Sequence, residues 1–168
     1  SLKMSDWSMS RTAESVFSNA SFYDSDLSYA KFIKSVFEGT NFSNSAMIMT
    51  GIYDSKLNNS NFENTNLTKA DILDSSLQSA NFKNSRLISA DLSNNHLQNS
   101  IFIGADLRNT NFSNTDLSNA NLSNVILTGA DLTNAVLTGA ILTEAELENA
   151  VLTNAILNCK HHPICLND

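Results

Sequence analysis

The chain has 168 residues, enough for one domain, and only 16% of them are charged, against roughly 25% in an average globular protein. The formal net charge of −7 argues against direct binding to nucleic acid, because phosphate contacts need clustered lysine and arginine. No apolar run reaches the length of about 18 residues that a transmembrane helix requires, so we expect no contact with a membrane.

Residues 1–14 are the least regular part of the chain. Leu2 and Trp7 fit a five-residue spacing that Thr12 would break. We expect this stretch to be an N-terminal cap, with Trp7 covering the first layer of core, because terminal repeats of arrays are usually atypical. The first eleven residues contain no apolar core of signal-peptide type.

From Phe17 to Leu157 a large apolar residue returns at every fifth position without interruption. All nine phenylalanines belong to this series, together with leucines, two isoleucines and one methionine. Two residues before each large residue stands Ala, Ser or Thr, except at Asn95 and Val125. Neither an amphipathic helix nor an ordinary strand has a period of five, so the pattern indicates a repeat architecture.

A longer interval of 20 residues is also visible. One row of phenylalanines has this spacing: Phe22, Phe42, Phe62, Phe82 and Phe102. A second row consists of Asn41, Asn61, Asn81 and Asn121. Four units of five residues would make one square coil, so we expect the rings to stack inside the coils and the asparagines to form a ladder at the surface.

The unit of alanine, aspartate or asparagine, then leucine resembles the pentapeptide-repeat family. It is seen as Ala-Asp-Leu-Arg-Asn at 105–109, Ala-Asn-Leu-Ser-Asn at 120–124 and Ala-Asp-Leu-Thr-Asn at 130–134. The resemblance covers residues 15–158 and implies an all-β fold, a right-handed quadrilateral parallel β-helix of about seven coils of 20 residues. It also implies that the large residue and the small residue two before it point inward.

Two residues depart from the small inward position. A buried amide at Asn95 needs hydrogen-bond partners, and we expect a polar ladder with Ser75 and Thr115, one coil to either side. Val125 is larger than its neighbours, but Ala105 and Ala145 leave room for it.

Outward apolar residues are candidates for an interaction surface. Ile33, Tyr53 and Leu73 share the 20-residue spacing and should form one exposed stripe, with Ile48 and Ile88 on the preceding side. A second group near the other end comprises Ile126, Val136, Ile141, Val151 and Ile156. Contiguous apolar surface usually marks a binding site. The alternative is that β-branched residues merely suit an extended backbone.

The last residues, 159–168, are expected to form a C-terminal tail or cap. Cys159, His161, His162 and Cys165 could bind a metal, but their spacing matches no strong zinc signature, and we expect no metal site. A disulfide between the cysteines is an alternative in an oxidising compartment. Two free thiols are the favoured expectation.

No catalytic constellation is visible, and we expect neither enzymatic activity nor a cofactor. Six aspartates directly precede large residues: Asp26, Asp71, Asp91, Asp106, Asp116 and Asp131. General acid–base chemistry would need paired carboxylates in a cleft, which a convex solenoid wall lacks. The chain also contains no phosphate-binding loop or nucleophile elbow.

The resemblance implies a bacterial, non-catalytic scaffold that binds an unknown protein partner through the outward faces of the solenoid. The alternative function is a DNA mimic that binds a type II topoisomerase such as gyrase and gives quinolone protection. The acidic balance and the apolar C-terminal end agree with that alternative and with a homodimer formed through this end. The expected location is the cytoplasm, and the alternative is a secreted effector.

Overall fold

The computed structural model describes residues 2–166 as a right-handed parallel β-helix. The residue directly before a large one pairs in parallel with its counterpart one coil further on, as Asn41 does with Asn61 and Asn61 with Asn81. Four strands are regular along one side of the solenoid: β1 (Arg11–Ala13), β2 (Lys31–Ile33), β3 (Gly51–Tyr53) and β4 (Asp71–Leu73). They form one parallel sheet in the order β1-β2-β3-β4.

The interior consists of the large residues that the five-residue period predicted. Phe62, Leu67, Ile72 and Leu77, one on each side of a single coil, are 0% exposed. The phenylalanine row is confirmed as a stack, in which the ring centroids of Phe62 and Phe82 are 4.7 Å apart and their planes differ by 2°. This distance is close to the spacing of paired strands, so backbone pairing and ring stacking share one repeat.

The corners are tight turns that explain the polar residues between the large ones. The N–H of Ala70 donates to the carbonyl of Leu67 at 3.0 Å, and most corners repeat this bond. The residue before each small one has a positive φ, such as 57° at Asn64. Asparagine tolerates this left-handed conformation better than most residues, so its frequency in the sequence follows from the turn.

One corner is built differently, and it lies beside the sheet. Here the N–H of Ser35 donates to Ser55 Oγ at 3.0 Å, and the N–H of Ser55 donates to Ser75 Oγ at 3.0 Å. Ser15 makes the same bond to Ser35. We call these four residues the serine ladder. At this corner a side chain of the next coil accepts the N–H that bonds within the turn at most other corners, and the preceding residues are extended and form β1–β4.

Asn95 ends the serine ladder. Its Oδ1 accepts the N–H of Ser75 at 2.8 Å, and its Nδ2 donates to the carbonyls of Ile72 and Leu92. The expected ladder therefore exists toward Ser75. Toward the next coil it does not, because Thr115 donates instead to the carbonyl of Phe112. Val125 is fully buried, as its small neighbours allow.

The first coil follows the same path as the later coils. Trp7 packs edge-to-face on Phe17 and Phe22, with ring centroids 5.8 and 5.4 Å away. The expectation that Thr12 breaks the register was wrong, because Thr12 pairs with Phe32 inside β1. Backbone pairing fixes the register, and threonine supports an extended backbone. The cap boundary at residue 14 stays a prediction.

The C-terminal tail corrects another expectation. Cys159 and Cys165 form a disulfide, so the prediction of two free thiols was wrong. A turn brings the two residues together, since the N–H of Cys165 donates to the carbonyl of His162. The N–H of Leu166 then reaches the carbonyl of Leu157 at 2.9 Å. The tail, of which residues 167 and 168 lie outside the described range, thus folds back against the last coil.

Replacing Phe62 by alanine should destabilise the protein by about 3–5 kcal/mol, because it removes a ring from the middle of the stack and leaves a cavity. The neighbouring outward residue provides the control, since Glu63→Ala should change the unfolding free energy by less than about 0.5 kcal/mol. Urea unfolding measures both. Equal losses for the two variants would contradict the buried stack.

Replacing Asn95 by valine should cost more than replacing it by serine. Valine leaves the Ser75 N–H and two buried carbonyls without partners, at about 1–3 kcal/mol for each group left unsatisfied. Serine at this position can accept the Ser75 N–H as Ser75 itself accepts that of Ser55. Thermal unfolding of the two variants should therefore rank serine above valine. The reverse order would show that the amide does not support the ladder.

Candidate interaction surface

The predicted stripe of Ile33, Tyr53 and Leu73 lies on three adjacent strands. Ile33 pairs with Tyr53, and Tyr53 pairs with Leu73, so the three side chains project from one sheet. Ile33 is 42% exposed, and the other two are half-buried. Residues that are 20 apart in the sequence are therefore direct neighbours on paired strands.

Tyr53 is held flat against the sheet by its neighbours. A Cβ added to Gly51 would lie 2.6 Å from the Tyr53 ring, so the ring occupies the space above this glycine. The Tyr53 hydroxyl donates to Asp71 Oδ2 at 3.3 Å. Burial and the nearby Asp71 carboxylate both raise the pKa of Tyr53, so the hydroxyl stays protonated and remains a donor.

A second apolar row, which the sequence analysis missed, lies along the corner that directly precedes the strands of the sheet. Met9, Tyr29 and Met49 are 75%, 51% and 42% exposed, and each occupies a corner position with positive φ. Asparagine or glycine is usual at such positions. The sequence therefore did contain a sign of this row: large apolar residues recur at intervals of 20 at positions where the turn favours small polar ones.

Charged residues divide the same side of the solenoid into two halves. Arg11, Lys31 and Lys34 are exposed on the first two coils. Asp71 and Asp74 are exposed on the fourth coil, and Asp91 follows on the fifth, paired with Asp71. We call the outward surface of β1–β4, with its two flanking corners and the paired segment at Asp91, the β1–β4 face. Its middle is largely apolar; toward one end Arg11, Lys31 and Lys34 outnumber Glu14, and toward the other Asp71, Asp74 and Asp91 outnumber Lys69.

The predicted C-terminal group does not form one patch. Val136 and Ile156 pair on one side of the solenoid, and Ile156 is exposed. The other three residues occupy separate sides, because Ile126 pairs with Glu146, Ile141 with Lys160 and Val151 with Asp131. The five residues occupy equivalent outward positions in their repeats, but they are distributed around all sides of the C-terminal end of the solenoid.

The six aspartates are placed for turns and surface contacts. Asp26, Asp91 and Asp131 each accept the N–H two residues further on, at 2.9 Å. A hydrogen bond from the Arg108 side chain lowers the pKa of Asp106. Burial opposes ionisation of Asp116, but bonds from Ser118 and Gln98 outweigh it and lower its pKa. The lowered pKa values of Asp106 and Asp116 do not suit either carboxyl to the role of a general acid.

No cavity opens on the surface formed by residues 2–166. Within that range, no group of three or more His, Cys, Asp or Glu side chains is arranged to hold a metal ion. The described residues also include no helix with the length and hydrophobicity needed to cross a bilayer.

Solved structures to which the chain is similar include proteins of several kinds. A trypsin-treated variant of QnrB1, a plasmid-mediated fluoroquinolone resistance protein, is 21% identical over 89% of this chain and 79% of its own, with a TM-score of 0.59. HetL, involved in heterocyst differentiation regulation in the cyanobacterium Nostoc sp. strain PCC 7120, is 22% identical over 91% and 90%, with a TM-score of 0.44. A protein of the Arabidopsis thaliana thylakoid lumen is 28% identical over 64% and 66%, with a TM-score of 0.33.

No curated protein sequence matches the chain significantly. Family models do match most of its length. The model described as pentapeptide repeat region matches residues 75–152. The model described as pentapeptide repeats in eight copies matches residues 13–47 and 53–84. With the 20-residue coil and the inward leucine and phenylalanine already established, these matches show that the chain belongs to the pentapeptide-repeat family.

Proposed function

We propose that this protein is a non-catalytic scaffold that binds another protein through the β1–β4 face. One observation carries the proposal: Ile33, Tyr53 and Leu73 form a contiguous apolar stripe along one edge of a regular sheet, and Met9, Tyr29 and Met49 form an exposed corner row along its other edge. Exposed apolar surface of this extent on a soluble solenoid favours a binding role over a structural one.

The preorganisation of the stripe supports the same proposal. Tyrosine is among the residues that most often dominate binding energy at protein interfaces. The contact with Gly51 and the bond to Asp71 already restrict the Tyr53 ring. Binding through an ordered side chain loses less conformational entropy than binding through a mobile one.

Alanine at Ile33, Tyr53 and Leu73 together should abolish or strongly weaken capture of the partner, because truncation of central interface residues typically costs 2 kcal/mol or more at each hot spot, roughly a 30-fold loss in affinity. The measurement is a pull-down from cells of the source organism, read by mass spectrometry. The matched control is alanine at Val16, Ile101 and Ile103, which are outward residues on other sides of the solenoid. Equal capture by both variants would remove the stripe from the proposal.

The C-terminal group supports a separate contact. Ile126, Val136, Ile141, Val151 and Ile156 surround the last coils, where Leu147, Leu152 and Leu157 are only partly buried. A homodimer through the C-terminal end would cover these leucines. The disulfide-closed tail lies over part of this end, which restricts such a dimer to the remaining area.

DNA mimicry remains the second candidate function. The net charge of −7 and the fold shared with QnrB1 favour it. The acidic residues, however, lie on several sides, and no loop interrupts the coils from Phe17 to Leu157. Its target would be cytoplasmic, whereas the Cys159–Cys165 disulfide supports the alternative of a secreted effector, since disulfides persist mainly in oxidising compartments.

Supercoiling by gyrase, measured with and without a fluoroquinolone, should be unchanged by micromolar amounts of this protein if the scaffold proposal holds. Charge alone is a poor substitute for a shaped interface, so an acidic solenoid lacking the right surface should not compete with DNA. An acidic protein of similar size provides the control. Protection of gyrase in this assay would establish the second candidate instead.

A further inference from the structure

We infer that the β1–β4 face binds a second copy of this chain, with the two solenoids side by side and antiparallel. This inference rests on the proposed function of the same face and names its partner. The reason is the distribution of charge along the face. Lys31 and Asp71 occupy the same register position on β2 and β4, with Gly51 between them on β3.

A two-fold axis that lies in the plane of the face and runs along β3 exchanges the basic and acidic coils. It places Lys31 opposite the partner's Asp71, and Arg11 opposite the partner's Asp91. At the corner it places Lys34 opposite the partner's Asp74. Self-complementary contacts of this type define an isologous interface, in which each contact occurs twice.

The same axis aligns the apolar residues. Ile33 faces the partner's Leu73, and Tyr53 faces the partner's Tyr53 at the centre. On the corner row, Met49 faces the partner's Met49, while Tyr29 faces the partner's Lys69, a pair suited to a cation–π contact. One like-charge contact results, between Asp54 and the partner's Asp54. It lies at an exposed corner, where solvent screens repulsion.

Charge also excludes the other symmetric arrangement. An axis parallel to the solenoid would bring each coil against the same coil of the partner. Lys31 would then approach the partner's Lys34, and Asp71 would approach the partner's Asp74. Like charges brought together at an interface disfavour association, so the antiparallel arrangement is selected.

The dimensions of the face indicate a weak dimer. Five coils at about 4.8 Å each and five extended residues at about 3.3 Å each give roughly 24 by 16 Å. About 400 Å² per copy is below the roughly 800 Å² of a standard interface, so the dimer should be reversible at micromolar or higher concentration. Its affinity should also fall as salt screens the ion pairs.

Sedimentation velocity of the full chain over a range of concentrations tests the inference. The unmodified protein should show a monomer–dimer equilibrium that weakens between about 0.05 and 0.5 M salt. Two variants reverse one charged half each. One carries Lys31→Asp and Lys34→Asp, and the other carries Asp71→Lys and Asp74→Lys. Each variant alone should dimerise at least about tenfold more weakly, because four pairs become repulsive.

An equimolar mixture of the two variants should recover the dimer, because every reversed residue then faces its opposite charge in the other chain. The control for the first variant is Lys83→Asp with Arg86→Asp, which makes the same change in net charge on other sides of the solenoid and should dimerise as the unmodified protein does. Circular dichroism verifies that each variant is folded.

Three results would overturn the inference: a protein that stays monomeric at every concentration, charge-reversed variants that dimerise as well as the unmodified protein, or a mixture that fails to recover. If any of these occurs while alanine at Ile33, Tyr53 and Leu73 still abolishes partner capture, the face binds a different protein and the proposed function stands. If both experiments fail, the face is not a binding surface.

Discussion

The structure depends on the narrowness of a coil that closes in 20 residues. Such a coil has room inside for one large side chain on each of its four sides, and the next inward position must be small. Phe62, Leu67, Ile72 and Leu77 fill one coil completely, with 0% exposure. Since parallel pairing repeats the same position at every coil, each inward residue packs on its counterpart above and below. Ring stacking of Phe62 on Phe82 is one result of this constraint.

The same repetition converts sequence positions into columns on the surface. A column has a distinct character only when several successive coils carry similar residues at the same position. The serine ladder is such a column, and it lies beside the regular sheet of the solenoid. Ser35, Ser55 and Ser75 supply hydroxyl acceptors to the preceding coil, and the backbone beside them remains extended. Asn95 ends this arrangement by satisfying the last N–H together with two carbonyls. The regular sheet therefore ends with β4.

The β1–β4 face combines these effects in a molecule whose described surface has no cavity. Its apolar stripe and its charges belong to different columns, yet both are ordered along the same five coils. Apart from Glu14 and Lys69, the basic residues come first and the acidic ones follow, so the face has a net positive end and a net negative end although the whole chain is acidic. A surface of this kind can select the orientation of its partner as well as its identity, because charge complementarity fixes register.

Much of the fold follows from the sequence alone. The period of five and the interval of 20 predicted the coil, the inward positions and the column of Ile33, Tyr53 and Leu73, because a solenoid's contacts are local in register and need no knowledge of distant packing. The exceptions have physical causes. Thr12 occupies an inward position of the repeat because backbone pairing between coils determines the course of the chain, and the identity of a single residue does not reveal that pairing. The two cysteines met because a turn after His162 reversed the chain.

Only the tertiary structure showed that the residues of the C-terminal group lie apart, because outward residues that are close in sequence can lie on different sides of the four-sided coil. It also revealed that the residues before the serine ladder are extended and form a regular sheet, whereas the other sides of the described coils have only single paired residues. The sequence thus determined what repeats and which residues are inside. The three-dimensional stacking of one coil on the next decided which outward residues touch, and hence which of them can form the proposed binding surface.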